Sequence, residues 1–184
     1  MENVAKSSIL DIRKIVITGI LAAIAILLGV TRLGFIPVPN LSGSATIMHV
    51  PAIIGGVMEG PLVGLLVGGI FGIFSWLQAT VPFFKDPLVS IVPRLFIGVT
   101  AYYSYALARK QNEYLALVVA GIVGTLTNTI LVVGALVGFG YIPTEAVPAI
   151  IPQAIAEVII AVVITIAVVT GWKRIETGRG KSSV

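Results

Sequence analysis

The sequence predicts an all-α integral membrane protein, a bundle of six transmembrane helices with both termini in the cytoplasm. Of the 184 residues, 57% are hydrophobic and only 11% are charged, and the mean hydropathy is +1.06. The apolar residues also fall into long runs separated by short polar loops. Helices are favoured for such runs because they satisfy their own backbone hydrogen-bonding groups in lipid.

Six apolar segments can be placed along the chain, and they form a single membrane domain over residues 1–184. The predicted helices are 15–32, 45–59, 61–78, 88–108, 114–139 and 147–172, followed by a cytoplasmic tail at 173–184. The second helix is the shortest, and Pro51 and the pair Gly55 and Gly56 interrupt it. The first apolar run lacks a convincing small-residue cleavage site, so we expect a retained helix and not a signal peptide.

Lysine and arginine set the predicted orientation, because these residues are enriched in the short cytoplasmic loops of membrane proteins. With the N-terminus inside, the outer loops contain only Arg32 and Lys85, and the inner segments contain Lys6, Arg13, Lys14, Arg109, Lys110, Lys173, Arg174, Arg179 and Lys181. This bias predicts a multi-pass protein of the cell (plasma) membrane, surrounded by the lipid bilayer. It also accounts for the net charge of +4 without a nucleic-acid partner.

The polar residues inside the predicted helices gather at one depth. Helix six starts outside, which puts Gln153 and Glu157 roughly 9 and 15 Å inward, and their spacing of four residues places them on one face. Arg94 near the outer end of helix four, Asn128 near the middle of helix five and His49 near the outer end of helix two reach similar depths. The inner half is nearly featureless. Because ionisable residues in a membrane usually mark a site, we predict a ligand-binding cup open to the outside.

Each of these residues also has a purely structural interpretation. Arg94 and Glu157 can form a buried ion pair, and Asn128 can be a hydrogen-bonding link between helices. His49 can cap a helix or pack a loop. Trp76, at the outer end of helix three, is either an anchor at the membrane interface or part of an aromatic wall of the cup. The convergence of several helices on one depth favours the ligand site.

Two stripes of small residues predict close contacts between helices. In "EGPLVGLLVGGIFGIFSW" a glycine recurs every four residues, which favours tight packing inside the bundle over a partner-binding face; these are Gly60, Gly64, Gly68 and Gly72. In helix one a second stripe either docks a membrane helix of a partner protein or packs within the bundle. Its residues are Gly19, Ala22, Ala23 and Ala25.

The residues and motifs of the commonest ATP-binding and hydrolytic enzymes are missing. The chain has no cysteine and one histidine, which excludes disulfides and thiolate metal sites and argues against a His-rich metal site. It also lacks a P-loop and the HExxH and GxSxG motifs. The sequence therefore predicts no catalytic residues, metal or cofactor in this chain.

Two stretches resemble the substrate-binding S component of an energy-coupling factor (ECF) transporter. "GSATIMHVPAIIGGVMEGPLVGLLVGGIFGIFSW" at 43–76 is similar to the region of helices two and three in that family, and "DPLVSIVPRLFIGVTAYYSYALARK" at 86–110 resembles its helix four. The resemblance implies high-affinity binding of a vitamin or vitamin precursor at the outer face. The loops 31–44 and 78–87 would then cover the substrate.

The resemblance also implies partner proteins. These are a transmembrane coupling subunit and two cytoplasmic ATPase subunits, which would hydrolyse ATP and drive uptake. The family's helix one carries an Ala-x-x-x-Ala coupling motif, and the nearest match here is Gly19-x-x-x-Ala23, with Ala22 and Ala25 beside it.

The residue types of the predicted site suit a polar ligand that has a carboxylate together with hydroxyl or amide groups. Arg94 can hold the carboxylate in a bidentate pair, and Glu157 and Asn128 can bind hydroxyls or an amide. Pantothenate fits this description, and the pattern resembles the pantothenate branch of the family. Riboflavin and cobalamin remain open as substrates. Two other classes also remain open: a stand-alone transporter that uses Glu157 as a proton-coupled carboxylate, and a structural membrane protein without a small ligand.

Overall fold

The structure, a computed structural model, describes residues 11–37 and 44–179. Within them, six helices have ten residues or more: α1 Ile12–Val30, α2 Val50–Glu59, α3 Pro61–Leu77, α4 Val92–Ala108, α5 Glu113–Gly138 and α6 Ile151–Arg179. The predicted all-α class and the count of six helices are confirmed.

Short elements connect the helices. An antiparallel hairpin follows α1, in which β1 Phe35–Pro37 pairs with β2 Ser44–Thr46. A 3-10 turn at Pro82–Lys85 and a single helical turn at Pro87–Ser90 precede α4, and a second 3-10 segment at Thr144–Ile150 precedes α6.

Several predicted boundaries are corrected. Residues 45–49 are predicted to be helical, but β2 extends to Thr46 and α2 begins only at Val50. Pro51 lies in the first turn of α2, where its missing N–H has no partner to lose. The last helix extends to Arg179, through most of the predicted tail. Lys6, Lys181 and the middle of the predicted loop 31–44 lie outside the described residues.

α2 is the central helix of the bundle. Every residue from Val50 to Val57 is buried, and α2 packs against each of the other five helices. At 1.5 Å per residue it is about 15 Å long, roughly half the thickness of a bilayer's hydrocarbon core. Gly60 alone connects α2 to α3, with a φ of +103° in the left-handed region that favours glycine.

The apolar surface of the bundle agrees with a membrane environment. Three helical segments are long and apolar enough to cross a bilayer: Ile12–Val30, Glu113–Gly138 and Thr144–Glu176. Large apolar side chains on their outward faces, such as Ile20, Ile130 and Ile159, are more than half exposed. In water such faces would be unfavourable, whereas in lipid they need no partner.

The glycine stripe of α3 allows α3 to lie directly on α4. A methyl group added at Gly64 would be 2.7 Å from the Cα of Gly98, and one added at Gly68 would overlap the carbonyl oxygen of Arg94. Gly72 is equally close to the chain just before α4. The packing interpretation of the stripe is therefore confirmed for these three glycines, and their contacts fix the start of α4 against α3.

Two groups of paired side chains close one end of the bundle, and we call them the terminal networks: Arg13, Glu59 and Glu176 in the first, and Tyr105, Glu113 and Lys173 in the second. Arg13 of α1 donates to Glu59 at 2.9 Å and to Glu176 at 2.8 Å. Lys173 pairs with Glu113, which also accepts a bond of 2.7 Å from the Tyr105 hydroxyl. These contacts correct the expectation that this half is nearly featureless.

Candidate functional site

A layer of buried polar residues lies at the opposite end of the bundle. We call it the polar layer: His49, Arg94, Thr125, Asn128 and Glu157. His49 directly precedes α2, Arg94 lies in the first turn of α4 and Glu157 in the second turn of α6. All five are at most 7% exposed. The structure thus brings together four of the six residues predicted from sequence as ligand contacts, and adds Thr125 to them.

Glu157 joins α6 to the hairpin. Its Oε1 accepts a bond of 2.7 Å from the backbone N–H of Thr46 in β2 and one of 2.9 Å from the side-chain amide of Gln153. Gln153 is half-buried one turn away on the same face of α6, as its spacing from Glu157 predicts. The carboxylate therefore holds the end of the hairpin over the polar layer, a contact that nothing in the sequence around Thr46 reveals.

Arg94 and Glu157 do not form a direct ion pair. The described residues contain no salt bridge between them within 4.0 Å, although their charges interact across the interior. The Arg94 guanidinium instead lies near two aromatic rings, 5.8 Å from the centre of Phe71 and 5.6 Å from that of Phe84. These distances allow cation–π attraction. Its Nη1 also donates to the backbone carbonyl of Val89.

His49 contacts α5 and does not cap α2 with its side chain. Its Nε2 lies 3.0 Å from the hydroxyl of Thr125, and the ring is fully buried. Asn128 is three residues further along α5, so its side chain projects from nearly the same face as that of Thr125. Helix α5 thus supplies two polar groups to the layer.

Several polar atoms of the layer have no hydrogen-bond partner among the described residues. They are Nδ1 of His49, Nε of Arg94 and Oδ1 of Asn128, and each is fully buried. A fourth such atom, the hydroxyl of Thr165, lies two turns further along α6. Buried polar atoms are nearly always paired in folded proteins, so three unpaired atoms in one layer distinguish this part of the bundle from its apolar core.

The loop before α4 covers Arg94. The indole N–H of Trp76 donates to the carbonyl of Lys85 at 2.9 Å, and Ser90 Oγ donates to the carbonyl of Phe84. Trp76 is 37% exposed, so its described contact is to this loop and not to the polar layer. The sequence does not distinguish Phe71 or Phe84 from other apolar residues. The predicted covering role of loop 78–87 was the only signal that could have pointed to Phe84.

The small-residue stripe of α1 divides into two faces. Ala22 and Ala25 are 4% and 0% exposed and pack inside the bundle. Gly19 and Ala23, four residues apart, are exposed, and nothing lies within 4 Å of a methyl group added at Gly19. Ala22 and Ala25 are therefore too deep for partner contacts, and only Gly19 and Ala23 remain available for docking.

Two grooves between α4 and α5 lie outside the polar layer. They measure about 530 and 400 Å³ and are lined mainly by apolar side chains such as Phe96 and Leu131, which both grooves share. Their openness to the surface and their apolar lining match the lipid-facing side of a membrane protein. Among residues 11–37 and 44–179, no group of three or more acidic or histidine side chains could hold a metal ion.

Comparison of the chain with known proteins identifies its family. The model of the family described as "ECF transporter, substrate-specific component" matches residues 13–169. The pantothenic acid transporter PanT of Lactococcus lactis subsp. cremoris (strain MG1363) is 29% identical in an alignment of length 150, and the alignment covers 67% of this chain and 75% of that protein. A solved S component of a bacterial ECF transporter shares the fold, with a TM-score of 0.64, 20% identity and coverage of 90% of this chain and 96% of the other. This chain is a membrane protein that belongs to the family of substrate-specific (S) components of ECF transporters.

Proposed function

We propose that this S component binds pantothenate in the polar layer, at the outer face of the plasma membrane, for ATP-driven uptake. Membership of the family supports a role in substrate recognition. The similarity to a pantothenic acid transporter supports the choice of substrate.

The observation that carries the proposal is the set of unpaired polar atoms on His49, Arg94 and Asn128. Leaving a buried donor or acceptor without a partner costs about 1–3 kcal/mol. Three such costs in one layer are offset when a polar ligand supplies the missing partners. A ligand that is only apolar would leave them in place.

The chemistry of pantothenate matches these groups one by one. Its carboxylate pairs with the Arg94 guanidinium, an interaction that arginine makes in bidentate geometry. Its hydroxyl and amide groups supply a donor for Asn128 Oδ1 and a partner for His49 Nδ1. Glu157 accepts a hydrogen bond from a ligand hydroxyl, and its bond to the backbone N–H of Thr46 keeps the hairpin in place. Gln153 supports Glu157, and Trp76 holds the covering loop.

Transport requires partners in this proposal. Both termini are cytoplasmic, and the exposed face of α1 with Gly19 and Ala23 docks a transmembrane coupling subunit. Two cytoplasmic ATPase subunits hydrolyse the ATP. Small residues at such positions let two helices approach closely in lipid, and Gly19 and Ala23 are spaced as one such pair.

The substrate is tested by purifying the chain from its native membrane and identifying released small molecules by mass spectrometry, followed by calorimetry with pantothenate, riboflavin and cobalamin. We expect retained pantothenate and saturable binding by the chain alone. Vesicles should take up pantothenate only when the coupling subunit, the ATPases and ATP are present. Retention and binding of riboflavin or cobalamin, and not of pantothenate, would contradict the proposed substrate. Uptake driven by an ion gradient without partner proteins would contradict the proposed transporter class.

Docking on α1 is tested with a matched pair of substitutions. Ala23→Trp should prevent co-purification with the coupling subunit but leave pantothenate binding unchanged, because Ala23 faces outward. Ala22→Trp should lower the unfolding temperature of the chain itself, because Ala22 is buried in the bundle. A stable complex with Ala23→Trp would exclude this face as the docking surface.

A further inference from the structure

A break in the helical backbone separates α4, which carries Arg94, from the short helical turn that precedes it. The helical turn Pro87–Ser90 ends at Ile91, and α4 starts at Val92. In an uninterrupted helix, the N–H of residue 93 would donate to the carbonyl of residue 89. Proline has no N–H. Among the described residues, no backbone N–H donates to the carbonyl of Val89, a residue that is 0% exposed.

Arg94 supplies the missing donor. Side chains on a helix point back toward its N-terminus, so the guanidinium of Arg94 folds over the preceding turn and its Nη1 donates to the carbonyl of Val89. Phe71 and Phe84 contact the guanidinium as described above. The group is thus held by a fixed acceptor and two rings, while its Nε has no partner.

The shape of α3 keeps this interruption in place. A methyl group added at Gly72 would be 2.9 Å from the Cα of Ile91 and 3.2 Å from the carbonyl oxygen of Ser90. Only a residue without a side chain leaves space for the irregular backbone at this point.

We infer that Pro93 is a positioning residue for ligand recognition, because it frees the carbonyl of Val89 to fix the Arg94 guanidinium. With Nη1 bound to that carbonyl, the edge formed by Nε and Nη2 is the one that meets the ligand carboxylate. This inference rests on the proposed function, in which Arg94 binds the ligand carboxylate. It adds the reason why the guanidinium has this orientation and names the edge of the guanidinium that binds the carboxylate.

The first test restores the backbone donor. Pro93→Ala and Pro93→Ser both return an N–H that competes with Arg94 for the carbonyl of Val89. We expect pantothenate to bind about 3- to 10-fold more weakly by calorimetry. Pro61→Ala is the matched control, because Pro61 also lies in the first turn of a helix but, two residues after Glu59, at the end of the bundle with the terminal networks. Affinity unchanged by both substitutions at Pro93 would overturn the inference.

The second test asks whether Pro93 acts through Arg94. In an Arg94→Gln background, Pro93→Ala should have no further effect on affinity, whereas an equal loss in both backgrounds would assign Pro93 a merely structural role. The alcohol analogue of pantothenate, with CH2OH in place of the carboxylate, should bind the Pro93→Ala variant as well as it binds the unaltered chain. An equal loss for this analogue would also overturn the inference. If Arg94→Gln itself leaves pantothenate affinity unchanged, the proposed site is wrong; if only the Pro93 variants have no effect, the site stands and the positioning role fails.

Discussion

The charged residues at the two ends of the bundle have different partners. In the terminal networks, Arg13 and Lys173 contact acidic partners directly. In the polar layer, Arg94 and Glu157 are deeper but stay apart, and each binds backbone atoms. Groups that only hold a fold together are expected to pair with each other. In the proposed function, the separated charges and the unpaired polar atoms beside them bind the ligand together.

The largest expected effect is on affinity, from removing the cation of the polar layer. Arg94→Gln should weaken pantothenate binding by about 1.5–3 kcal/mol, or roughly 10- to 150-fold, because a charged hydrogen bond is lost. Calorimetry measures the change in affinity. Arg13→Gln in the terminal network is the control and should leave affinity unchanged. Equal losses of affinity in both variants would remove the difference between the two ends.

Glu157 separates anchoring of the hairpin from recognition of the ligand. Glu157→Leu leaves the N–H of Thr46 without its acceptor and should lower the free energy of unfolding by about 1–3 kcal/mol. Glu157→Gln keeps an oxygen for that N–H and should be less destabilising. Chemical denaturation of both variants checks this order. Equal stability of the two would mean that the hairpin does not depend on this acceptor.

Asn128 tests whether unpaired atoms really are a cost in the empty protein. Asn128→Leu replaces an amide whose Oδ1 is unpaired by an apolar side chain of similar size, so stability without ligand should stay equal or rise. Pantothenate affinity should fall by about tenfold, as expected for one lost hydrogen bond. A fall in stability with unchanged affinity would instead make Asn128 a link between helices.

The smallest effect is expected in the terminal networks. The side chains of Lys173 and Glu113 are 46% and 43% exposed, and ion pairs of that exposure contribute about 0–1 kcal/mol. Glu113→Gln should therefore change the unfolding temperature only slightly and leave pantothenate affinity unaltered. A loss of affinity from this substitution would show that the two ends are coupled.

What the sequence predicts and what it misses divide along physical lines. Hydropathy predicts the helices because each must be apolar to lie in lipid, and distance along each helix predicts that His49, Arg94, Asn128 and Glu157 share a depth. Neither hydropathy nor distance along a helix predicts which face of the helix is buried in the bundle. The burial of Ala22 beside the exposure of Ala23 therefore appears only in the folded bundle.

Backbone partners are the second class of contact that sequence reasoning cannot supply. Side chains at Glu157 and Arg94 suggest an ion pair, but each finds a backbone atom of another segment, in β2 and in the turn before α4. The sequence predicts a loop up to residue 44 and a helix from residue 45, where the structure has the hairpin of β1 and β2. Pro93 was the one visible signal of the break before α4, since a proline in the first turn is typical of a helix start.

The short central helix has a consequence for the synthesis of the protein. At about 15 Å, α2 cannot cross the hydrocarbon core by itself, and its ends would expose unpaired backbone groups to lipid. It therefore has to enter the membrane together with α3, as a helical hairpin folded at Gly60. Its place between the other helices becomes complete only after α6 has left the ribosome, so the buried site is among the last parts of the protein to form.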